Sequence, residues 1–423
     1  MRVGVIIERK NYYRLLGPVV DAALEREWEV VCFHDHAQSR EGMKGYEFPS
    51  VDAVPRFLHG APRVETYRGR DALPDAISTA GVDVVISITT PPDTKRPLAA
   101  KWITLQNSGE LLSLLTRRIL AADRIVLHSP WWLEFGFEFL RARGLSTPGD
   151  ALEREIRRKS VVVGFPEFDQ ARMIDPEGVR RRFGIPSGKP VVVLLPYPFG
   201  SNPHTAWARW VYRPGNRKWR RIRLHLAGER HLTPLIARGW DDAAVARAVR
   251  AFCDANGAHL VVKSRLKDPV PRYLRRVADL TLYDESHYPA TILEVVSVAD
   301  LCVHFYSNAV IEAGGLGVRS LSICPALGDM GILEGEAHIS AQFSRKEGSL
   351  YQFRGVAETM GIGEAIERLP GMRLADFAVD PAARAAWMEK FLGFSDGKSA
   401  ARLLDVAAKL VKGSTARALR HHP

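Results

Sequence analysis

The sequence predicts an α/β protein of two doubly wound, parallel-sheet domains in series, and three observations carry that reading. Short, near-continuous apolar runs alternate with stretches whose apolar residues recur at helical spacing. The alternation restarts near residue 190, after a turn-rich passage. The chain of 423 residues is also the length of two domains of roughly 100–200 residues each. Strands that read as apolar on both faces belong to a sheet covered on both sides.

In the first series, Val3–Ile7 is a compact β-branched run, and Tyr12–Arg26 carries apolar residues at helical spacing. Glu29–Phe33, Val82–Ile88, Trp102–Leu105 and Arg124–Leu127 read as further strands, each separated by enough chain for a helix. Ser160–Val163 closes the series, and the passage Gly164–Asp169 is turn-rich. Residues 175–190 hold a short helix with Pro176 in its first turn, then a loop. Val191–Leu195, His259–Val262, Leu280–Tyr283, Leu301–Phe305 and Ser320–Ile323 form the second series. The expected organisation is a first domain over 1–170, a linker over 171–190, a second domain over 191–385, and C-terminal helices over 386–423 packing back toward the first.

Composition sets the outer limits. With 46% hydrophobic and 25% charged residues the chain is ordinarily globular, which excludes disordered, collagen-like and disulfide-scaffold classes. No run approaches the ~18 consecutive apolar residues of a membrane span. The N-terminal apolar run is short and followed by charge, unlike a signal peptide, so a cytoplasmic protein is expected. Cys32, Cys253, Cys302 and Cys324 lie far apart in apolar contexts, which reads as buried reduced thiols and not a zinc site. Fifty-nine Lys and Arg against 48 Asp and Glu give a net charge of +11. That excess favours a polyanionic partner (nucleic acid, an anionic membrane surface or a phosphorylated substrate) or reflects an Arg-rich proteome.

In open parallel sheets, ligands bind beyond the carboxyl ends of the strands, often at helix N-termini. The residues after each strand are therefore the candidates, and the site is expected in a cleft between the two domains. After Leu301–Phe305, Ser307 and Asn308 are good N-caps. With Ala309 they open a helix whose amides and positive dipole end suit a diphosphate. Glu312 falls about one turn in, at reach of a ribose hydroxyl, and Gly314, Gly315 and Gly317 allow another backbone to approach. A plain capped helix with a glycine-rich end is the alternative. His259–Val262 leads into Lys263 and Arg265, cations for phosphate oxygens. Asp284, His287 and Tyr288 mix polar and aromatic groups suited to a nucleobase edge and face. Gly200 and Ser201, in the turn after Val191–Leu195, offer backbone amides to phosphate without P-loop or dinucleotide-fingerprint spacing.

These motifs give the second half a resemblance to the donor domain of GT-B-fold glycosyltransferases. The run Ser307 to Ala313 matches the family's Ser-x-x-x-x-Glu-Ala pattern. The resemblance implies that Glu312 binds the donor ribose and that Ser307 and Asn308 meet the diphosphate. Gly164–Asp169 is similar to the G-N-P-x-x-D linker of UDP-N-acetylglucosamine 2-epimerase relatives, with Phe165 in place of Asn. Asp396–Ala400 is similar to the C-terminal D-G-K-A-S of those relatives and of CDP-glycerol glycerophosphotransferases. The similarity covers roughly residues 160–412. It implies two Rossmann-like domains facing a cleft, a nucleotide-activated substrate and no obligate metal. No Asp-x-Asp stands near a strand end here to hold a divalent cation, so Lys263, Arg265 and the helix start would neutralise the leaving diphosphate. No cofactor is expected, the nucleotide-activated sugar entering as substrate.

A sugar hydroxyl is a poor nucleophile, so inverting transfer calls for a general base on the acceptor side. The candidates, at strand ends of the first domain, are Glu8, then Asp35, His34 and Glu110; each is alternatively a capping or exposed loop residue. Residues 207–230 hold eight Lys or Arg and a single acid, Glu229, with Trp207, Trp210, Tyr212 and Trp219 interleaved. That composition fits an anionic membrane surface or a polyanionic acceptor, and equally single-stranded nucleic acid or a plain surface insertion. The combined reading is a glycosyltransferase that moves a sugar from a nucleotide-activated donor to a surface-glycan or lipid-linked acceptor. It would act in the cytoplasm or at the inner face of the membrane, with no specific nucleic acid as partner. The alternatives are a CDP-alditol phosphotransferase, a non-hydrolysing nucleotide-sugar epimerase, and a non-enzymatic basic membrane- or nucleic-acid-binding protein.

Overall fold

A computed structural model describes residues 1–36, 54–93, 98–107, 117–142, 144–196, 242–264, 272–282, 286–305, 307–324 and 347–419. The chain forms two compact units. The first comprises Met1–Arg172, His287–Pro289 and Glu389–Pro423, and the second Met173–Ser286 and Ala290–Met388.

The first unit runs β1 (Arg2–Ile7), α1 (Tyr13–Glu25), β2 (Glu29–Asp35), β3 (Arg63–Tyr67), α2 (Leu73–Ala80), β4 (Val84–Ser87), β5 (Lys101–Leu105), β6 (Arg124–Leu127), α3 (Pro130–Ala142), α4 (Ala151–Lys159) and β7 (Ser160–Val162). Its seven parallel strands are ordered β3-β2-β1-β4-β5-β6-β7. Helix α1 forms because Leu15, Val19 and Ala23, with Leu16 and Val20, recur on one face, and all five are buried. Asp150 caps α4 by accepting the Glu153 amide hydrogen at 2.9 Å.

The second unit runs α5 (Pro176–Phe183), β8 (Val191–Leu194), α6 (Asp242–Ala255), β9 (His259–Lys263), α7 (Arg272–Val277), β10 (Leu280–Leu282), α8 (Thr291–Ser297), β11 (Leu301–His304), α9 (Ala309–Leu316), β12 (Arg319–Cys324), β13 (Ala357–Gly361) and α10 (Ile362–Arg368). Its six parallel strands are ordered β10-β9-β8-β11-β12-β13. Alternate residues of the strands feed two separate cores. Val192, Leu194, Leu260, Val262, Leu301 and Val303 pack on one side, and Val191, Val193 and Val261 on the other. This two-sided burial is why the strands read as continuous apolar runs.

Two strands were not expected, β3 and β13. Both lie at sheet edges, and their sequences, RVETY and AETMG, are half polar. With one paired neighbour each and part of their surface in solvent, these two strands keep polar residues and carry no apolar run to read. Strand β2 runs two residues beyond its predicted end, which puts His34 and Asp35 inside the strand.

Helix α11 (Pro381–Leu392) precedes α12 (Ser399–Leu419), which belongs to the first unit and lies along α1. Arg26 donates to Asp405 and to the Ala401 carbonyl at 2.8 and 3.0 Å. Asp169 receives the amide hydrogens of Ser399 and Ala400 at 3.1 and 2.6 Å, so it caps α12 from outside the helix. Gly164, at φ +95°, is required there, since a Cβ would stand 2.5 Å from Ser399 Oγ. Phe165, where the epimerase-like linker has Asn, is buried edge-on against His128 at 4.3 Å. No helix among the described residues is long and apolar enough to cross a membrane.

Candidate functional site

In each unit the strand order reverses between two central strands, β1 and β4 in the first and β8 and β11 in the second. Such reversals open a crevice at the carboxyl ends of the strands, because the flanking connections leave in opposite directions. The polar residues of interest in the first unit gather beside β1, and those of the second lie at the ends of β9 and β11 and on α9.

In the first unit, Glu8 directly follows β1 and is buried to 8% exposure. Thr89, after β4, donates its hydroxyl to Glu8 Oε1 at 3.4 Å and exchanges a hydrogen bond with Ser87 Oγ at 2.9 Å. The Arg70 Nε lies 3.9 Å from the same carboxylate oxygen. Burial pushes the Glu8 carboxyl above its usual range, opposed by Arg70 and reinforced by the Asp35 charge. Asp35, at the end of β2, accepts the Gly69 amide hydrogen at 2.9 Å. Tyr67, at the end of β3, is buried beside Glu8 and Asp35, and desolvation and both carboxylates raise its phenol. The phenol therefore stays a neutral donor.

This arrangement sorts the four base candidates by position. Glu8 and Asp35 come together with Arg70, Tyr67 and Thr89. His34 sits one residue from Asp35 and so faces the other side of the sheet, where Nε2 meets the Tyr13 hydroxyl at 2.7 Å in full burial. Glu110 lies outside the described residues. Arg70, Tyr67 and Thr89 escaped the sequence reading because they follow a half-polar edge strand or a plain Thr-Thr pair; only the sheet order brings them to Glu8.

In the second unit, β9 ends in Lys263, buried to 5%, whose Nζ donates to the Ser264 carbonyl at 3.3 Å. Strand β11 ends in His304, which is fully buried. Its Nε2 meets Ser320 Oγ at 2.7 Å, and the Ser307 amide hydrogen points at its Nδ1 at 3.2 Å. Burial depresses its pKa to about 3, which keeps the ring neutral. Ser307 Oγ accepts the Ala309 amide hydrogen at 3.2 Å and is the true cap of α9, whereas Asn308 makes no side-chain capping bond. The turn amides of Ser307 and Ala309 are thus used inside the protein.

Glu312 is buried to 1% on α9, close enough to Cys302 for its charge to help raise that thiol. The glycines of α9 serve packing: a Cβ on Gly314 would stand 2.7 Å from the Trp387 ring. Gly317, at φ +78°, ends the helix left-handed. An indole, and not a second backbone, uses the space at Gly314. Tyr288 is not at a strand end of this unit. It belongs with His287 to the first unit, where its hydroxyl donates to Asp21 at 2.7 Å and its ring packs on Phe57 at 5.2 Å. Gly200, Ser201, Arg265, Asp284 and the whole of 207–230 lie outside the described residues. Among the described residues no group of three or more His, Cys, Asp or Glu is placed to hold a metal ion.

No family model matches the chain, and no curated protein matches it in sequence. Solved structures do match in shape. The wall teichoic acid polymerase TagF superposes with a TM-score of 0.56 at 9% identity, over 98% of this chain and 90% of that one. MnaA of S. aureus, solved with UDP, gives 0.52 at 11% identity, over 97% of each chain. UDP-GlcNAc 2-epimerase from Neisseria meningitidis, bound to UDP-GlcNAc, gives 0.51 at 11% identity, over 97% of this chain and all of the other. At such identities the likeness speaks for the fold: this chain is built of two Rossmann-like α/β domains, as its GT-B-fold neighbours are.

Proposed function

We propose that the protein is a nucleotide-sugar-dependent transferase that moves a sugar onto a glycan or lipid-linked acceptor hydroxyl. The observation that carries this reading is the pairing of chemistry with topology. The first unit holds buried Glu8 and Asp35 beside Arg70 at the carboxyl ends of its strands, and the second carries buried Lys263 at the end of β9 and buried Glu312 on α9. Glu8 is the general base. As the acceptor oxygen bonds to the anomeric carbon, Glu8 takes its proton, and the bond from that carbon to the nucleoside diphosphate breaks. Asp35 and Arg70 set the charge around Glu8. Lys263 and the positive end of α9 offset charge on the departing diphosphate, and Glu312 receives a ribose hydroxyl.

The likeness to a wall teichoic acid polymerase favours a second reading, transfer of an alditol phosphate from a CDP-linked donor. The likeness to an enzyme bound to UDP-GlcNAc supports a nucleotide-sugar substrate in either case. Thermal shift with UDP, GDP, CDP, CMP and TDP, on wild type and Glu312→Ala, separates them. A nucleotide that stabilises wild type but not Glu312→Ala marks the donor site and its base. CDP or CMP as the stabilising ligand selects the alditol reading. Turnover of UDP-GlcNAc without any acceptor selects an epimerase. No shift at millimolar nucleotide overturns the transferase reading.

A further inference from the structure

The turn from β11 into α9 is fastened by a side chain that the sequence reading passed over as part of an apolar strand. We infer that His304 is the positioning residue of the nucleotide site, holding the first turn of α9 through its Nδ1 contact with the Ser307 amide. The inference rests on the nucleotide reading of this unit. His304 is fully buried at the last position of β11. Its Nε2 meets the Ser320 hydroxyl of the neighbouring strand β12 at 2.7 Å. Its Nδ1 faces the Ser307 N–H at 3.2 Å. A backbone amide can only donate, so Nδ1 carries no hydrogen, and the ring hydrogen resides on Nε2, donated to Ser320. The Tyr351 ring packs edge-on against the imidazole at 6.1 Å.

The geometry gives the ring two anchors with separate tasks. Ser320 fixes the ring to the sheet; the ring then fixes Ser307. Ser307 in turn carries the helix, since its Oγ caps Ala309 and its carbonyl accepts the Val310 amide hydrogen at 3.1 Å. Loss of the link between the ring and Ser307 lets the turn, and Glu312 with it, shift relative to the sheet and Lys263. A ligand spanning the strand end and the helix feels such a shift directly, because hydrogen bonds weaken steeply with misalignment.

Two substitutions divide the tasks. The amide oxygen of Asn lies as many bonds from the backbone as Nδ1, so His304→Asn keeps an acceptor for Ser307 and loses Ser320. The amide nitrogen of Gln lies as many bonds away as Nε2, so His304→Gln keeps a donor for Ser320 and loses Ser307. Both remove the ring, so both lower the unfolding midpoint. The affinity for the nucleotide that stabilises wild type, read by calorimetry, should fall about tenfold or more in His304→Gln and stay within about threefold in His304→Asn, a decade being the worth of one good hydrogen bond. Equal losses in the two variants, tracking their midpoints, overturn the inference and leave the nucleotide reading standing. A wild type that binds no nucleotide overturns both. Should His304→Gln not fold, Ser320→Ala carries the test: it frees the ring from the sheet and should weaken nucleotide about three- to tenfold, and unchanged affinity overturns the inference.

Discussion

Replacing Glu8 by glutamine should cost activity and yield stability, and the structure sets both sizes. Glu8 is 8% exposed, so its carboxylate has lost most of its water. The compensating cation, Arg70, stands 3.9 Å away with its side chain 43% exposed. A pair at that separation is worth about 1 kcal/mol in water and about 4 kcal/mol at an effective dielectric of 20, and an Arg so exposed lies near the lower figure. Desolvating a carboxylate costs several kcal/mol, so burial wins and the Glu8 carboxyl titrates above its ordinary 4.5. Folding thus favours protonated Glu8. The native state is penalised as pH rises through the raised pKa, and the penalty vanishes below the unfolded value. Glu8→Gln should therefore be more stable than wild type at pH 8 by about 1 kcal/mol, or about 2–4 °C for a domain of this size. The two should converge near pH 4. In the proposed role of general base, Glu8 would contribute ~10²–10⁴ to turnover, so diphosphate release by Glu8→Gln should fall by that factor. The acid limb of the wild-type profile should lie above the ordinary carboxylate range. Urea titrations at several pH values and a nucleoside-diphosphate release assay read both quantities. A Glu8→Gln protein that is less stable at pH 8 and fully active refutes the reasoning.

Two further predictions follow from the same bookkeeping of buried groups. His128 and His304 are both held neutral in burial, at about 3 against an ordinary 6.5, so their stabilising contribution is complete above pH 6.5 and is lost progressively toward pH 3. Each adds about 1.4 kcal/mol per pH unit to the acid destabilisation in that window, and His128→Gln, which keeps a donor for the Gln106 carbonyl, should flatten the slope by about that amount in urea titrations. Asp169→Ala removes the acceptor for the Ser399 and Ala400 amides, so it should cost about 1–2 kcal/mol and speed amide exchange in the first turns of α12. Unchanged exchange there would show that the cap contributes nothing.

The two doubly wound sheets were legible because their central strands are buried on both faces and write continuous apolar runs such as Val191–Leu194 and Leu301–Val303. Glu8, Asp35 and Lys263 were legible as ionisable residues at strand ends and Glu312 as an acid in the helix that follows β11, positions that local sequence shows. The edge strands β3 and β13 were not, since a strand paired on one side keeps polar residues. Nor was the difference between His34 and Asp35, which differ by one residue in sequence and by a whole sheet face in space.

Local sequence by itself determined the central strands and helix α1, because backbone geometry and apolar periodicity act over a few residues. Only the tertiary structure decided which strand ends meet. Strand order placed Arg70 and Thr89 at Glu8 and His304 beside Ser320 of the neighbouring strand, and the packing of the first unit took Tyr288 to Asp21. These pairings span up to 267 residues, and hydrogen bonds and charges act across space without regard to separation along the chain.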